Sequence, residues 1–115
     1  MTNGKISSYR DLKVWQFAIE LSVVVCYEVT RTFPREEIYG MTSQIRRSSA
    51  SVAANIAEGY GRENRGSFAQ FLKIAQGSLK ELETHLIIAG RIGLLQASAL
   101  LGSLIRSVQH RKADE

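Results

Sequence analysis

The sequence predicts an all-α protein, an antiparallel up-down four-helix bundle, on three observations. Apolar residues return at three- and four-residue steps in four successive segments, which is the spacing of one helix face. The 115 residues include one proline and nine glycines, less turn chemistry than a β-sandwich requires. The stretches between the periodic segments are brief, so consecutive helices become antiparallel neighbours. A chain of this length makes a single domain, residues 1–115. Split in two, each half would approach the lower limit for a self-supporting core.

The first helix is predicted over residues 12–33. Trp15, Ala18, Ile19, Ser22, Val25, Cys26, Val29 and Phe33 share one face. Ser8 or Asp11 can cap its start with a side-chain oxygen, and Pro34 stops it, because the ring excludes helical geometry at the preceding residue. The β-branched run Val23-Val24-Val25 argues locally for a strand, but the flanking helical period outweighs it. The second helix is predicted over 40–58, with Met41, Ile45, Ser48, Val52 and Ile56 on one face, and with Gly59 and Gly61 suited to a cap and a turn. The third is predicted over 67–90. Ser67 and Gln70 there form a capping-box pattern, Phe68, Phe71, Leu72, Ala75, Leu79, Leu82, Leu86 and Ala89 form the apolar face, and Gly93 closes the element. A shorter fourth helix is predicted over 97–111, with Leu101, Leu104, Ile105 and Val108 inward.

Composition narrows the function classes. One cysteine, Cys26, excludes an intrachain disulfide and a thiolate zinc set. Two histidines, His85 and His110, make a multi-histidine metal site an unpromising expectation, and no cofactor is expected. No apolar run is long enough to span a bilayer, and no leader pattern opens the chain, so the expected setting is cytoplasmic. Residues Gly59 to Gly66 do not form a P-loop, since they lack its terminal Gly-Lys-Ser/Thr element and a preceding strand. The formal net charge is +4. Between Ile38 and Lys80 the cations Arg46, Arg47, Arg62, Arg65, Lys73 and Lys80 face only Glu58 and Glu63, and this window holds the whole net charge. Such a distribution suits an anionic partner.

One stretch does not fit an isolated bundle. Residues Ser48 to Ala54 read Ser-Ser-Ala-Ser-Val-Ala-Ala, small and uncharged all round, where a helix with one buried stripe should carry charge on its outer face. Gly77 stands mid-helix in the third segment despite a cost of roughly 1 kcal/mol in helix propensity. Both features indicate close backbone approach, either at a tight crossing inside the chain or against a neighbouring subunit. The expected seam residues are Ser48, Ser49, Ser51, Ala54, Asn55 and Glu58.

Five segments, taken together, resemble one family: Tyr9-Arg10-Asp11-Leu12-Lys13-Val14-Trp15, Phe33-Pro34-Arg35-Glu36-Glu37-Ile38-Tyr39-Gly40, Ser43-Gln44-Ile45-Arg46-Arg47-Ser48, Asn55-Ile56-Ala57-Glu58-Gly59-Tyr60-Gly61-Arg62 and Gly77-Ser78-Leu79-Lys80-Glu81-Leu82-Glu83-Thr84. This is the four-helix-bundle family first noticed as reading frames in intervening sequences of bacterial 23S rRNA genes. It includes the accessory variability determinant of diversity-generating retroelements. The resemblance implies an antiparallel four-helix bundle that assembles into a ring-like homo-oligomer, commonly a pentamer. It also implies possible partners: nucleic acid, RNA or DNA, on a basic surface, and a reverse transcriptase for the retroelement member.

The function expected from these readings is a non-enzymatic, ring-forming nucleic-acid-binding accessory protein. The alternative is a structural or protein-interaction scaffold. Arg46, Arg47, Arg62, Arg65, Lys73 and Lys80 are the candidates for phosphate contacts, salt-sensitive and blind to base sequence. The competing expectation is that several of them simply pair with Glu58, Glu63, Glu81 or Glu83. Asn55 and Glu58 invite a catalytic reading, but no histidine or cysteine lies near them in sequence, so structural roles are expected. Arg106 and His110 miss the spacing of the Arg-to-His motif of helical ribonucleases, with only three residues between them. No catalytic residue is expected.

Overall fold

The computed structural model describes residues 5–95 together with Gly102, Ile105, Arg106 and Gln109. Every regular element among the described residues is helical, and three long helices carry the fold. Most of the predicted fourth helix, 97–111, lies outside the described residues; the four named within it are helical.

The chain enters through a 3-10 turn, Tyr9–Asp11. Ser8 Oγ accepts the Arg10 N–H at 3.0 Å, and Asp11 Oδ2 accepts the Ser7 and Ser8 N–H groups at 2.9 and 3.2 Å. Those donors hold the Asp11 carboxyl below its usual range, the Ser7 backbone N–H most strongly. The expected cap is therefore present, but it closes this turn rather than the long helix. Leu12, extended, separates the two.

The first helix begins as an α segment, Lys13–Glu20, widens into π turns over Leu21–Tyr27 and ends in the α turn Glu28–Thr30. The β-branched run 23–25 lies inside the widened segment. The buried face is the expected one: Ala18, Ser22, Val25, Cys26 and Val29 point inward. The helix stops at Thr30, three residues short of the expected end. Phe33 precedes Pro34 and is barred from helical geometry. The hydroxyls of Thr30 and Thr32 bond back to the carbonyls of Cys26 and Val29, at 2.7 and 3.0 Å. Phe33 is nonetheless buried, folding in from beyond the helix end.

The second helix is Met41–Gly61. Glu37 Oε1 accepts the Met41 N–H at 3.1 Å and supplies the cap that Gly40 cannot. The helix outruns its expected end at 58, and Gly59 proves to be a packing residue rather than a cap. It is buried, and a Cβ placed on it would lie 2.5 Å from Phe71 Cβ. The third helix is Arg65–Arg91, capped by Asn64, whose Oδ1 accepts the Ser67 N–H at 3.0 Å. The expected Ser67–Gln70 capping box is thus displaced, because Asn64 reaches the same orphan amide from one turn earlier. Gly93 ends the helix as expected, with φ +86° and the Leu94 N–H returning to the Ala89 carbonyl at 2.9 Å.

The second and third helices pack against each other along most of their length, joined by a short turn, with the first helix set chiefly against the second. The core has two halves. One holds Cys26, Val29, Phe33, Ile45, Leu82 and Ala89. The other holds Ala18, Val52, Ala53, Ile56 and Ala75, flanked by Trp15 and Leu72. Between them Ser22 and Ser49, both buried, share a hydrogen bond of 3.2 Å. Burial pushes the Cys26 thiol up to about 11, against a smaller opposing pull from the Ser49 hydroxyl, so it stays a neutral core side chain.

Candidate nucleic-acid interface

The six candidate cations do not converge on one patch. Arg46 and Arg47 lie sixteen and fifteen residues from Arg62, a span of roughly 23 Å along a helix. Adjacent positions on a helix diverge by about 100°, and Arg46 and Arg47 accordingly turn to different neighbours. Arg46 faces the first helix, where its Nε donates to Thr30 Oγ1 at 2.8 Å and its guanidinium lies 4.6 Å from the centre of the Tyr27 ring. Arg47 faces the third helix, where it pairs with Glu81 and donates to Gln44 Oε1 at 2.9 Å. The Arg47 bond is the main cause that holds the Glu81 carboxyl below its ordinary range, and His85, 3.5 Å away, adds to it.

At the other end Arg62 pairs with Glu58 at 3.1 Å and lies over the Phe71 ring at 5.1 Å. Lys80 reaches Glu83 at 3.8 Å. Lys73 is exposed beside an apolar groove that includes Val14, Leu72 and Leu79. Among the described residues Arg65 and Lys73 have no ion pair. The competing expectation therefore accounts for Arg47, Arg62 and Lys80, with Glu81, Glu58 and Glu83 as the partners.

These pairs leave the cations in water. The side chains of Arg47, Arg62 and Lys80 are 55%, 53% and 71% exposed. Exposed ion pairs contribute little and are screened by salt. A phosphate can take over such a guanidinium or ammonium at small cost.

The small-residue girdle divides in two. Ser48 and Ser49 are fully enclosed by their own chain. Ser48 Oγ donates to the Gln44 carbonyl at 2.7 Å and Ser49 Oγ to the Arg46 carbonyl at 3.0 Å. Their expected place on a seam between copies is corrected: neither has surface left to offer, since both are enclosed within the one chain, Ser49 against Ser22 of the first helix. Ser51 is half-buried and shares a 2.8 Å hydrogen bond with Ser78. Asn55 Nδ2 donates to the Ser51 carbonyl and hydroxyl at 2.8 and 3.0 Å, so both residues serve contacts within the chain. Ala54 and Glu58 are exposed. With Ala50, Ala57, Ile19 and Val23, Ala54 lines an apolar groove of about 280 Å³. Gly77 is also exposed, and a Cβ there would meet nothing within 4 Å, so the close packing expected at this glycine is absent inside the chain.

A family model described as 23S rRNA-intervening sequence protein matches residues 10–110. The chain belongs to this family. The match spans all three long helices and extends through the four helical residues beyond position 95. No curated protein matches the chain. The description of 23S rRNA-intervening sequence proteins names a place, not a reaction or a ligand.

Asn55 is occupied by Ser51 and Glu58 by Arg62, and among the described residues neither hydrogen-bonds to a histidine or cysteine. Arg106 pairs with Glu28, and His110 lies outside the described residues. Among the described residues no group of three His, Cys, Asp or Glu side chains could hold a metal ion, and no helix is long and apolar enough to cross a membrane. Sequence reasoning missed Thr30 and Tyr27, which hold Arg46, and Phe71, which carries Arg62. No periodic signal announces a contact between helices.

Proposed function

We propose that this 23S rRNA-intervening sequence protein is a non-enzymatic accessory protein that binds structured nucleic acid in the cytoplasm as a ring-like homo-oligomer of four-helix bundles. The observation that carries the reading is the state of its cations. Arg65 and Lys73 have no ion pair among the described residues, and Arg47, Arg62 and Lys80 are paired yet more than half exposed. Spread over a helical surface and repeated by symmetry, they would form a field that a polyanion feels without any sequence being read. The fourth helix is supported by helical Gly102, Ile105, Arg106 and Gln109 and by the Arg106–Glu28 ion pair to the first helix. Assembly is supported by the exposed apolar groove around Val23, Ala50 and Ala54. A pentamer is the expected ring.

Mobility shift with a structured RNA tests the binding. Binding at low ionic strength should weaken by orders of magnitude from roughly 50 to 200 mM salt, and the Arg47→Gln/Arg62→Gln/Lys80→Gln variant should flatten that dependence. No shift at low ionic strength refutes the reading. Light scattering tests the assembly, and a monomer at micromolar concentration refutes the ring. The apolar groove beside Val14, Leu72 and Leu79 favours a second reading, a protein-interaction scaffold with no nucleic acid of its own. Under that reading the ring forms but the shift is missing.

A further inference from the structure

The turn between the second and third helices, residues 62–64, lies beside the N-terminal segment at Ser7. Ser7, Tyr60, Glu63, Asn64, Arg65 and Phe68 line a recess of about 350 Å³ there, the lower range of small-ligand sites. Its chemistry is mixed. Tyr60 and Phe68 are half-buried, with ring centres 6.0 Å apart and planes 84° from parallel. This pair is held in place by the bare Cα of Gly59, since a Cβ there would stand 3.2 Å from Phe68 Cδ1. Arg65, the first residue of the third helix, is exposed and has no ion pair among the described residues. Glu63 is likewise exposed and unpaired, and is the one non-glycine residue with positive φ, 56°, among those described. An aromatic wall, a free guanidinium and a free carboxylate around one cavity are the complement of a nucleoside monophosphate.

We propose that this recess holds one unpaired nucleotide, its base against the Tyr60 and Phe68 rings, its phosphate on Arg65 and its amino-bearing edge toward Glu63. The inference rests on the nucleic-acid reading above and adds to it a base-contacting site. Stacking on an aromatic ring is open to every base; the carboxylate supplies the discrimination. Adenine and cytosine present exocyclic amino groups that a carboxylate accepts, whereas uracil flanks its single N–H with carbonyl oxygens that the carboxylate repels. Arg65 pairs with the phosphate through charge-assisted hydrogen bonds. Arg65 is the one cation the recess shares with the polyanion surface; Arg47, Arg62, Lys73 and Lys80 lie outside its lining.

Titration of the full-length protein with AMP, CMP, UMP and adenosine, followed by calorimetry and by NMR shifts of Tyr60 and Phe68, tests the proposal. AMP and CMP should bind with shifts confined to the recess, and UMP more weakly. Tyr60→Leu should lower AMP affinity at least about 5-fold, while Tyr60→Phe retains it. Arg65→Gln should reduce AMP to the level of adenosine, and because Arg65 is exposed this variant tests the phosphate arm even if Tyr60→Leu fails to fold. No shift of Tyr60 or Phe68 at millimolar AMP overturns the recess. So does equal binding by wild type and both variants, or binding of free tyrosine in preference to AMP. A short oligoadenylate that binds more tightly than AMP assigns the site to a strand; equal affinity assigns it to free mononucleotides. A failed recess leaves the salt-dependent shift with structured RNA to the cations outside it, Arg47, Arg62, Lys73 and Lys80. Loss of that shift with AMP still bound rejects the polyanion surface alone.

Discussion

The two ends of the second helix treat their arginines in opposite ways. At the start, Arg46 is drawn down to Thr30 and Tyr27, while Arg47 is spanned to Glu81 across the helix pair. At the finish, Arg62 lies over Phe71 and keeps a single local partner, Glu58, and Arg65, one short turn further on, has none among the described residues. The neighbours explain the difference. The first end abuts polar and acidic side chains of two other helices. The second meets aromatic rings packed against Gly59, and Glu58 of the same helix is the carboxylate within reach of Arg62. At the first end Arg46 is committed to the fold, whereas Arg47, Arg62 and Arg65 keep exposed guanidinium groups that a ligand can reach.

The largest expected effect breaks the fold around the first end. Ile45 is fully buried in the core half beneath Arg46, and Ile45→Ala should cost about 3 kcal/mol in urea unfolding. Next comes the second end. Gly59→Ala forces a methyl against Phe71 and should destabilise by about 2 kcal/mol. It should also move the NMR signals of Tyr60 and Phe68, which a lesion at Ile45 should leave in place. Arg46→Ala removes a part-buried hydrogen bond and a ring contact, a loss of about 1 kcal/mol by the same unfolding assay. Arg65→Gln should leave unfolding unchanged while weakening RNA retention. If Arg46→Ala and Arg65→Gln prove equal in stability, the contrast between the ends is wrong.

A pH titration sharpens the same contrast. Glu81 is held below its ordinary 4.5, chiefly by Arg47. A depressed carboxyl contributes stability above its ordinary value and loses it as pH falls through the folded value. Wild type should therefore lose a small increment of stability on acidification that Arg47→Gln lacks. The difference should be seen in melting temperatures compared at neutral and acid pH. Asp11 shifts the same way through its Ser7 and Ser8 donors, so Asp11→Asn should remove a second such increment.

How much of this was legible can be judged residue by residue. The inward face of the first helix was read correctly because burial imposes a helical period on Ala18, Ser22, Val25, Cys26 and Val29. Its end is not legible, because Phe33 keeps the apolar rhythm while lying outside the helix. Asn64 does not stand out as a cap in the sequence, because Ser67, three residues later, shows the same chemistry in the same local pattern. Ser48 and Ser49 read as seam residues because small side chains signal close approach without saying whose backbone approaches.

By itself, the sequence determined the helical class, the inward faces and the family, since these depend on periodicity and local order that a linear chain carries whole. Only the tertiary structure decided which arginines are consumed by partners, that Gly59 is a contact point rather than a turn, and that Tyr60, Glu63, Arg65 and Phe68 share one cavity. The physical reason is range. Helix formation is settled within four residues, whereas the fate of a charge is settled by whichever helix comes to lie beside it.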